Sequence, residues 1–199
     1  MRYTRDEYLV REDRAETKSE YISGSIRAMS GASPEHATIC FNLGAEIGAQ
    51  IRGSACKGSG SDLRVWLDAC DRYYYPDMTI TCGQRRYELR SNIRALLNPS
   101  IIIEVLSPST EAIDRGEKFL CYQQLESFVA YLLVAQNTER IEMFAKQSDG
   151  KLLYTIVTGL ESEIEIPIAG CKLRLADIYE DIDFSASGPD QSEPAEPLE

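Results

Sequence analysis

The chain of 199 residues is poor in positive charge and contains a single histidine. Its 21 lysines and arginines are outnumbered by 32 aspartates and glutamates, which leaves a formal net charge of −11. A protein that wraps duplex nucleic acid through a broad basic surface is usually strongly positive. Nucleic-acid binding by this chain therefore requires a local basic patch, because the overall charge opposes it.

Long apolar runs are also missing. The runs that occur are short, such as residues 101–103 and 128–134, and none approaches the roughly 20 residues that span a bilayer. The first seven residues are mostly charged or polar and lack the apolar segment of a secretory signal. We therefore expect a cytoplasmic protein with no membrane partner.

Cysteines are present, but their spacing suggests no site. The six cysteines lie far apart and form no C-x-x-C pair. With only one histidine in the chain, a Cys/His zinc site is not expected. The pattern favours reduced, mostly buried thiols, as is usual in cytoplasmic proteins.

The N-terminal third shows clear helix and hairpin signals. A capping box at residues 4–7 predicts a helix to about Val10. Alternating runs at 18–22 and 25–29 surround a Ser-Gly turn and predict a β-hairpin. Ser33 and Pro34 begin a longer helix that we expect to end near residue 53. Its predicted apolar face consists of Ala37, Cys40, Gly44, Ile47 and Ile51.

The remainder is rich in predicted strands. Residues 100–106 are nearly all apolar and β-branched, which is typical of a central strand covered on both faces. A basic loop is expected over residues 85–94 and a helix over 113–124. Further strands are predicted at 63–67, 75–81, 128–134, 140–144 and 152–157. We predict one domain over residues 1–184 and a disordered acidic tail over 185–199.

Two acids stand out as candidate metal ligands. Glu104 interrupts the apolar strand, and burying its carboxylate is costly unless it is paired or binds a cation. It is therefore either paired with an arginine at the end of the strand or a metal ligand. Asp77 follows Pro76 at the point where another strand begins. If the two strands are neighbours, Asp77 shares a cleft with Glu104. Pro-Asp is also a common turn, and a turn alone would explain it. Carboxylate pairs suit Mg²⁺, which prefers oxygen ligands.

Lys118 is the third candidate. It lies on the predicted helix after the Glu104 strand, with Asp114 four residues before it and Tyr122 four residues after it on the same face. From there its ammonium could reach a metal-bound water or a phosphate. The same spacing also fits the alternative that Lys118 is an exposed lysine in an ion pair with Asp114.

Together these residues resemble a known family. The segments YPDM at 75–78, EVLSPST at 104–110 and DRGEK at 114–118 look like those of the Uma2 family. That family belongs to the PD-(D/E)XK nuclease superfamily of restriction-endonuclease-like proteins. The resemblance implies an α/β (α+β) fold: a mixed β-sheet flanked by helices, with an N-terminal helix and hairpin.

The resemblance also implies roles for individual residues. Asp77 and Glu104 would hold Mg²⁺ or Mn²⁺, with the backbone carbonyl of Val105 as a further ligand. The superfamily usually has a lysine where this chain has Leu106, and the resemblance suggests that Lys118 takes over that catalytic role. Glu20 would be an additional catalytic carboxylate, as a further metal ligand or as a residue that orients Lys118, or else a partner in a hairpin salt bridge.

Several basic residues are candidate nucleic-acid contacts. His36 is interpreted as a proton donor or phosphate contact near a helix N-terminus, or as a polar residue that begins the helix. Arg85, Arg86, Arg90 and Arg94 form the best candidate phosphate-binding patch, although a solvated loop has the same composition. Arg64 and Arg115 would extend the patch if they face the same cleft.

These observations leave two functional interpretations. The first is a Mg²⁺-dependent DNA endonuclease, for which a homodimer is natural because two strands are cut. The alternative is a catalytically inactive nuclease-fold protein that binds nucleic acid or a partner protein. The net charge of −11 and Leu106 favour the alternative.

Overall fold

A computed structural model of the chain describes residues 2–29, 31–90 and 93–186. The helices are α1 (Arg5–Glu12), α2 (Pro34–Ile51), α3 (Glu111–Ile113), α4 (Phe119–Tyr122) and α5 (Leu175–Ile178). The strands are β1 (Ser19–Ile22), β2 (Ser25–Ala28), β3 (Cys56–Gly60), β4 (Val65–Leu67), β5 (Arg72–Tyr74), β6 (Met78–Cys82), β7 (Tyr87–Arg90), β8 (Ile93–Leu96), β9 (Ile101–Leu106), β10 (Ala130–Ala135), β11 (Arg140–Lys146), β12 (Leu152–Thr158), β13 (Glu163–Ile166) and β14 (Cys171–Arg174).

Two six-stranded sheets and one hairpin organise these elements. One large sheet has the order β12-β11-β10-β9-β6-β3, the other has the order β2-β1-β5-β4-β8-β7, and β13 pairs with β14. Strand β9 lies between β10, which is parallel to it, and β6, which is antiparallel. All six residues of β9 are buried. The prediction of a central strand covered on both faces is therefore confirmed, as is the mixed α+β fold class.

Helix α2 packs on this sheet through a face that overlaps the predicted one only in part. Ser33 accepts a hydrogen bond from the His36 backbone N–H and caps the helix. Its buried residues are Ile39, Leu43, Ile47 and Ile51. Of the predicted face, Ile47 and Ile51 are buried as expected, whereas Ala37, Cys40 and Gly44 line a cleft. Burying the larger side chains removes more apolar surface from water, which explains the choice of face.

The hairpin β1–β2 and the capped helix α1 are confirmed. The prediction of a basic loop over residues 85–94 is wrong, because β7 and β8 form an antiparallel pair there. The β-forming residues around Tyr87 and Leu89 outweigh the arginines, which β-strands tolerate on exposed faces.

The Lys118 helix, as we name residues 111–122, has three consecutive segments. α3 leads into a π-helical turn (Asp114–Lys118), and α4 follows directly. Such π-turns occur frequently at functional sites. The end of the helix is anchored by Tyr122, which is fully buried, and by Phe119, whose ring stacks on Tyr131. This packing fixes the direction in which Lys118 points.

Four of the six cysteines form disulfides, so the prediction of reduced thiols is wrong for them. Cys56 and Cys82 face each other across β3 and β6. Cys70 and Cys121 connect the turn after β4 to the Lys118 helix. The sequence spacing could not show these pairs, because both depend on contacts between distant elements. Cys40 and Cys171 are free.

The predicted acidic tail over 185–199 falls mainly on residues 187–199, which lie outside the described residues. Its first two residues belong to a short 3-10 turn, Phe184–Ala186. Within the described ranges, every helix is too short or too polar to cross a membrane.

Candidate metal centre

The register of β6 and β9 brings the two candidate ligands together. Met78 lies opposite Ile103, which places Asp77 opposite Glu104 at the end of the pairing. The Asp77 backbone N–H donates to Glu104 Oε2 at 3.2 Å, and the Val105 N–H donates to Asp77 Oδ2 at 2.8 Å. The two strands are therefore neighbours, as predicted, and both carboxylates belong to one site.

Glu104 is buried and has two side-chain hydrogen-bond donors. Lys118 Nζ lies 3.1 Å and the Tyr122 hydroxyl 3.0 Å from Glu104 Oε1. Burial and the charges of Asp114 and Asp77 outweigh the opposing effect of Lys118 and raise the pKa of Glu104 to about 8. The alternative of an arginine partner is wrong, because the partner is Lys118.

Lys118 is buried among acids and is not the exposed lysine of the alternative interpretation. Its Nζ lies 2.9 Å from Asp114 Oδ1, 3.1 Å from Glu104 Oε1 and 3.6 Å from Glu20 Oε1. Burial lowers the pKa of Lys118, but these carboxylates outweigh that effect and raise it above the usual value. The residue is therefore an ammonium ion at neutral pH.

Glu20 combines two of its predicted roles. Its Oε2 accepts from Arg27, which lies opposite it in the β1–β2 hairpin, at 2.6 Å. Its Oε1 points towards Lys118 and is buried without a hydrogen-bond partner. Glu20 thus forms the hairpin salt bridge and also contributes to the negative environment of Lys118.

His36 joins the site from the first turn of α2. Its Nε2 lies 3.2 Å from Asp77 Oδ2, and its Nδ1 lies 3.6 Å from Cys40 Sγ. Burial lowers the pKa of His36, but the hydrogen bond and charge of Asp77, together with Cys40, raise it to about 10. His36 is therefore a positive partner of Asp77.

Comparison with known proteins identifies the family. The model of the Uma2 family, described as "Putative restriction endonuclease", matches residues 5–176. The chain belongs to the Uma2 family. Two relatives come from Synechocystis sp. "Uncharacterized protein sll1609" is 36% identical over 162 residues, which are 81% of this chain and 91% of the relative. "Uncharacterized protein slr1290" is 33% identical over 179 residues, 90% and 92% of the two chains.

A solved structure shares the fold. It is that of a "putative nuclease belonging to DUF820" from Anabaena variabilis, with a TM-score of 0.71 and 20% identity. The match covers 89% of this chain and 97% of that one.

In this Uma2 chain the site opens into a cleft of about 1690 Å³. This volume exceeds the roughly 300–1,000 Å³ of small-molecule pockets. Asp77, Glu104 and Lys118 lie on its wall beside the Ala37–Cys40–Gly44 face of α2. The cleft also contains basic residues, namely Lys18, Arg27, Arg52, Lys57 and Arg85.

The predicted arginine patch is not one surface. Of the arginines proposed as nucleic-acid contacts, only Arg85 lines the cleft among the described residues, and it donates to the Gly58 carbonyl at 2.8 Å. Arg64 lies over the Tyr75 ring, and Arg86 lies 3.9 Å from Glu126. Arg90 pairs with Asp6.

Arg115 is also occupied elsewhere. It makes two parallel hydrogen bonds to Glu142, at 3.0 and 2.8 Å, and a third to Glu111. The sequence analysis missed Arg27, Arg52 and Lys57 as cleft residues and gave Cys40 no role at the site. No local signal marks them, because the fold alone brings β2, β3 and α2 to the same cleft.

Proposed function

We propose that this Uma2 protein is a Mg²⁺-dependent DNA endonuclease in which Asp77 and Glu104 hold the metal ion. The observation that supports this most directly is that the Asp77 and Glu104 carboxylates each accept a backbone N–H from the other's segment, with a buried lysine on Glu104. A single buried acid has simpler structural explanations, whereas this arrangement is costly without a function.

The residues fit a hard cation. Glu20 Oε1 is buried without a hydrogen-bond partner, and Asp114 Oδ1 is buried 2.9 Å from Lys118 Nζ; buried carboxylate oxygens of this kind suit Mg²⁺ or Mn²⁺. The N–H and C=O of one strand residue point to the same side of the strand. The Val105 carbonyl is therefore expected to face Asp77, as its N–H does, and to serve as a further ligand. The site gains an excess of negative charge when Glu104 ionises, because four carboxylates then meet three cationic side chains: Glu20, Asp77, Glu104 and Asp114 against Arg27, His36 and Lys118.

The chain's own groups have distinct tasks in this proposal. A bound Mg²⁺ would lower the pKa of a water ligand and offset charge on the scissile phosphate. Lys118 is proposed to donate to a phosphate oxygen and stabilise the charge that develops in the transition state. It comes from the helix because Leu106 occupies the usual lysine position. Tyr122 and Asp114 hold Glu104 and Lys118 in place.

DNA is the proposed substrate because the cleft is large and basic residues line its walls. Lys18, Arg52 and Lys57 are exposed or half-buried side chains that can contact backbone phosphates, which accounts for binding despite the overall negative charge. For cleavage of both strands we propose a symmetric homodimer.

A cleavage assay tests this function. We expect purified protein to cut DNA with Mg²⁺ or Mn²⁺ and not with chelator. Asp77→Asn is expected to abolish the activity, and Lys118→Met to lower the rate by about 100-fold or more, since it removes one transition-state donor. Lys146→Met is the matched control, because that lysine is exposed on β11.

The binding-protein alternative is an outcome of the same assay. The ion pair between His36 and Asp77, which occupies one proposed ligand, favours it. DNA that is bound but remains uncut with every divalent ion would establish that alternative. Cleavage that persists in Asp77→Asn would overturn the metal assignment.

A further inference from the structure

His36, Cys40 and Asp77 form a cluster of three different metal-ligating side chains in the cleft. His36 and Cys40 are four residues apart, so they lie on the same face of α2 one turn apart. Asp77 reaches them from the segment before β6. Each residue offers one ligand atom, and these three atoms all lie within 4.8 Å of one another. Spacing along the sequence did not suggest a zinc site, because the third ligand belongs to a different element.

The distances in the cluster resemble those of a tetrahedral site. Zn–S and Zn–N bonds of about 2.3 and 2.0 Å place a sulfur and a nitrogen ligand about 3.5 Å apart. Cys40 Sγ and His36 Nδ1 are 3.6 Å apart. His36 Nε2 and Asp77 Oδ2 are 3.2 Å apart, close to the separation of a nitrogen and an oxygen on one zinc ion. These two contacts use different ring nitrogens of His36, so side-chain rotation is needed to bring one nitrogen, the sulfur and the oxygen around a single ion.

The ligands are presented by rigid elements. Ser33 caps α2 next to His36, and the neighbouring residues Ile39 and Leu43 are buried and anchor the helix in the core. Asp77 is held by the Val105 N–H. Outer contacts of this kind orient ligands and raise metal affinity. All three ligands line the cleft, so a fourth coordination position would face the space that a substrate enters.

We propose that His36, Cys40 and Asp77 bind a thiophilic divalent ion, Zn²⁺, at a position that shares Asp77 with the Mg²⁺ site. A thiolate, an imidazole and a carboxylate are ligands of zinc, and three protein ligands with one open position are the arrangement of reactive zinc sites. Mg²⁺ does not compete for the sulfur, because it prefers oxygen. On binding, Cys40 loses its thiol proton and His36 gives up one ring proton, both to solvent. This inference does not depend on nuclease activity.

Cobalt is the probe for this site, because a thiolate bound to Co²⁺ produces a charge-transfer absorption. We expect this band when Co²⁺ is added to the wild type, and Zn²⁺ should displace it. Cys40→Ser should lose the band and weaken Zn²⁺ binding by at least about 100-fold, the upper range of what outer-contact changes cost. Cys171→Ser is the matched control, because Cys171 is the other free cysteine and lies in the core.

A second variant separates this proposal from the proposed function. Glu104→Gln removes a proposed Mg²⁺ ligand but none of the three zinc ligands, so it should keep the cobalt band while losing its response to Mg²⁺. The absence of a band from the wild type would overturn the zinc site, whatever the nuclease assay shows. A band that persists in Cys40→Ser would also overturn it, since another cysteine would then be the ligand. Melting curves without metal show whether each variant is folded.

Discussion

Glu104 and Lys118 lie within the protein with relative exposures of only 2% and 6%, and Lys118 donates a hydrogen bond to Glu104. Lys118 also compensates Asp114 and, more distantly, Glu20. Breaking a buried ion pair leaves an unpaired charge, which costs more than the pair itself contributes. Lys118 therefore offsets the negative charge of the buried acids around it, and this role in stability is separate from its proposed role in catalysis.

Lys118→Met separates the two roles. In chelator we expect the variant to lose about 3 kcal/mol of unfolding free energy, because its carboxylates are left unpaired. Mg²⁺ should restore part of this loss, since the proposed ligands Asp77 and Glu104 remain. Urea unfolding with and without Mg²⁺ measures both effects. Lys146→Met is expected to stay within about 0.5 kcal/mol of wild type. A Lys118→Met protein as stable as wild type in chelator would contradict the ion-pair network.

Among the elements, the Lys118 helix depends on an anchor outside the site. Arg115, in the π-turn, is bonded to Glu142 on β11, and Arg140 and Tyr154 bind the same carboxylate. Burial raises the pKa of Glu142, but these hydrogen bonds and charges outweigh it and lower the pKa to about 2. Arg115, which was predicted to contact DNA, therefore attaches the Lys118 helix to the sheet.

The pKa of Glu142 implies a pH dependence. A carboxyl group with a lowered folded-state pKa contributes stability above its unfolded value of 4.5, and this is lost as the pH falls towards 2. Glu142→Gln should thus cost about 2 kcal/mol at pH 7, and the difference from wild type should shrink between pH 4.5 and 2. Denaturant unfolding across this range measures it. A difference that is independent of pH would show that the charge of Glu142 is not what holds the helix.

The elements also show what the sequence could and could not predict. Strand β9 and helix α1 have strong local signals, a β-branched run and a capping box, and both were predicted. The sequence predicts a loop where β7 and β8 lie, because four arginines conceal a weak alternation. The pairing of Asp77 with Glu104 followed from the family resemblance and the adjacency it implies. Two groups of residues could not be predicted from the sequence. The Cys40–His36–Asp77 cluster depends on how α2 packs, and the Arg115–Glu142 pair depends on how β11 packs.

Across the whole molecule, the disulfide between Cys70 and Cys121 closes a sequence separation of 51 residues. Closing such a loop lowers the entropy of the unfolded chain and contributes up to about 4 kcal/mol. The Cys70→Ala/Cys121→Ala double variant should lose most of that stability in urea unfolding under oxidising conditions. Under reducing conditions wild type and variant should converge. A variant as stable as the oxidised wild type would show that this bond does not stabilise the fold.

The most direct test of the central claim compares the melting of wild type and Glu104→Gln with and without Mg²⁺. We expect a hundredfold excess of Mg²⁺ over its dissociation constant to stabilise the wild type by about 2.7 kcal/mol. Glu104→Gln should gain much less. In chelator it should be as stable as wild type or more stable, because burial and neighbouring acids disfavour the Glu104 charge and raise its pKa to about 8. Equal responses of the two proteins to Mg²⁺ would contradict the assignment of Glu104 as a metal ligand.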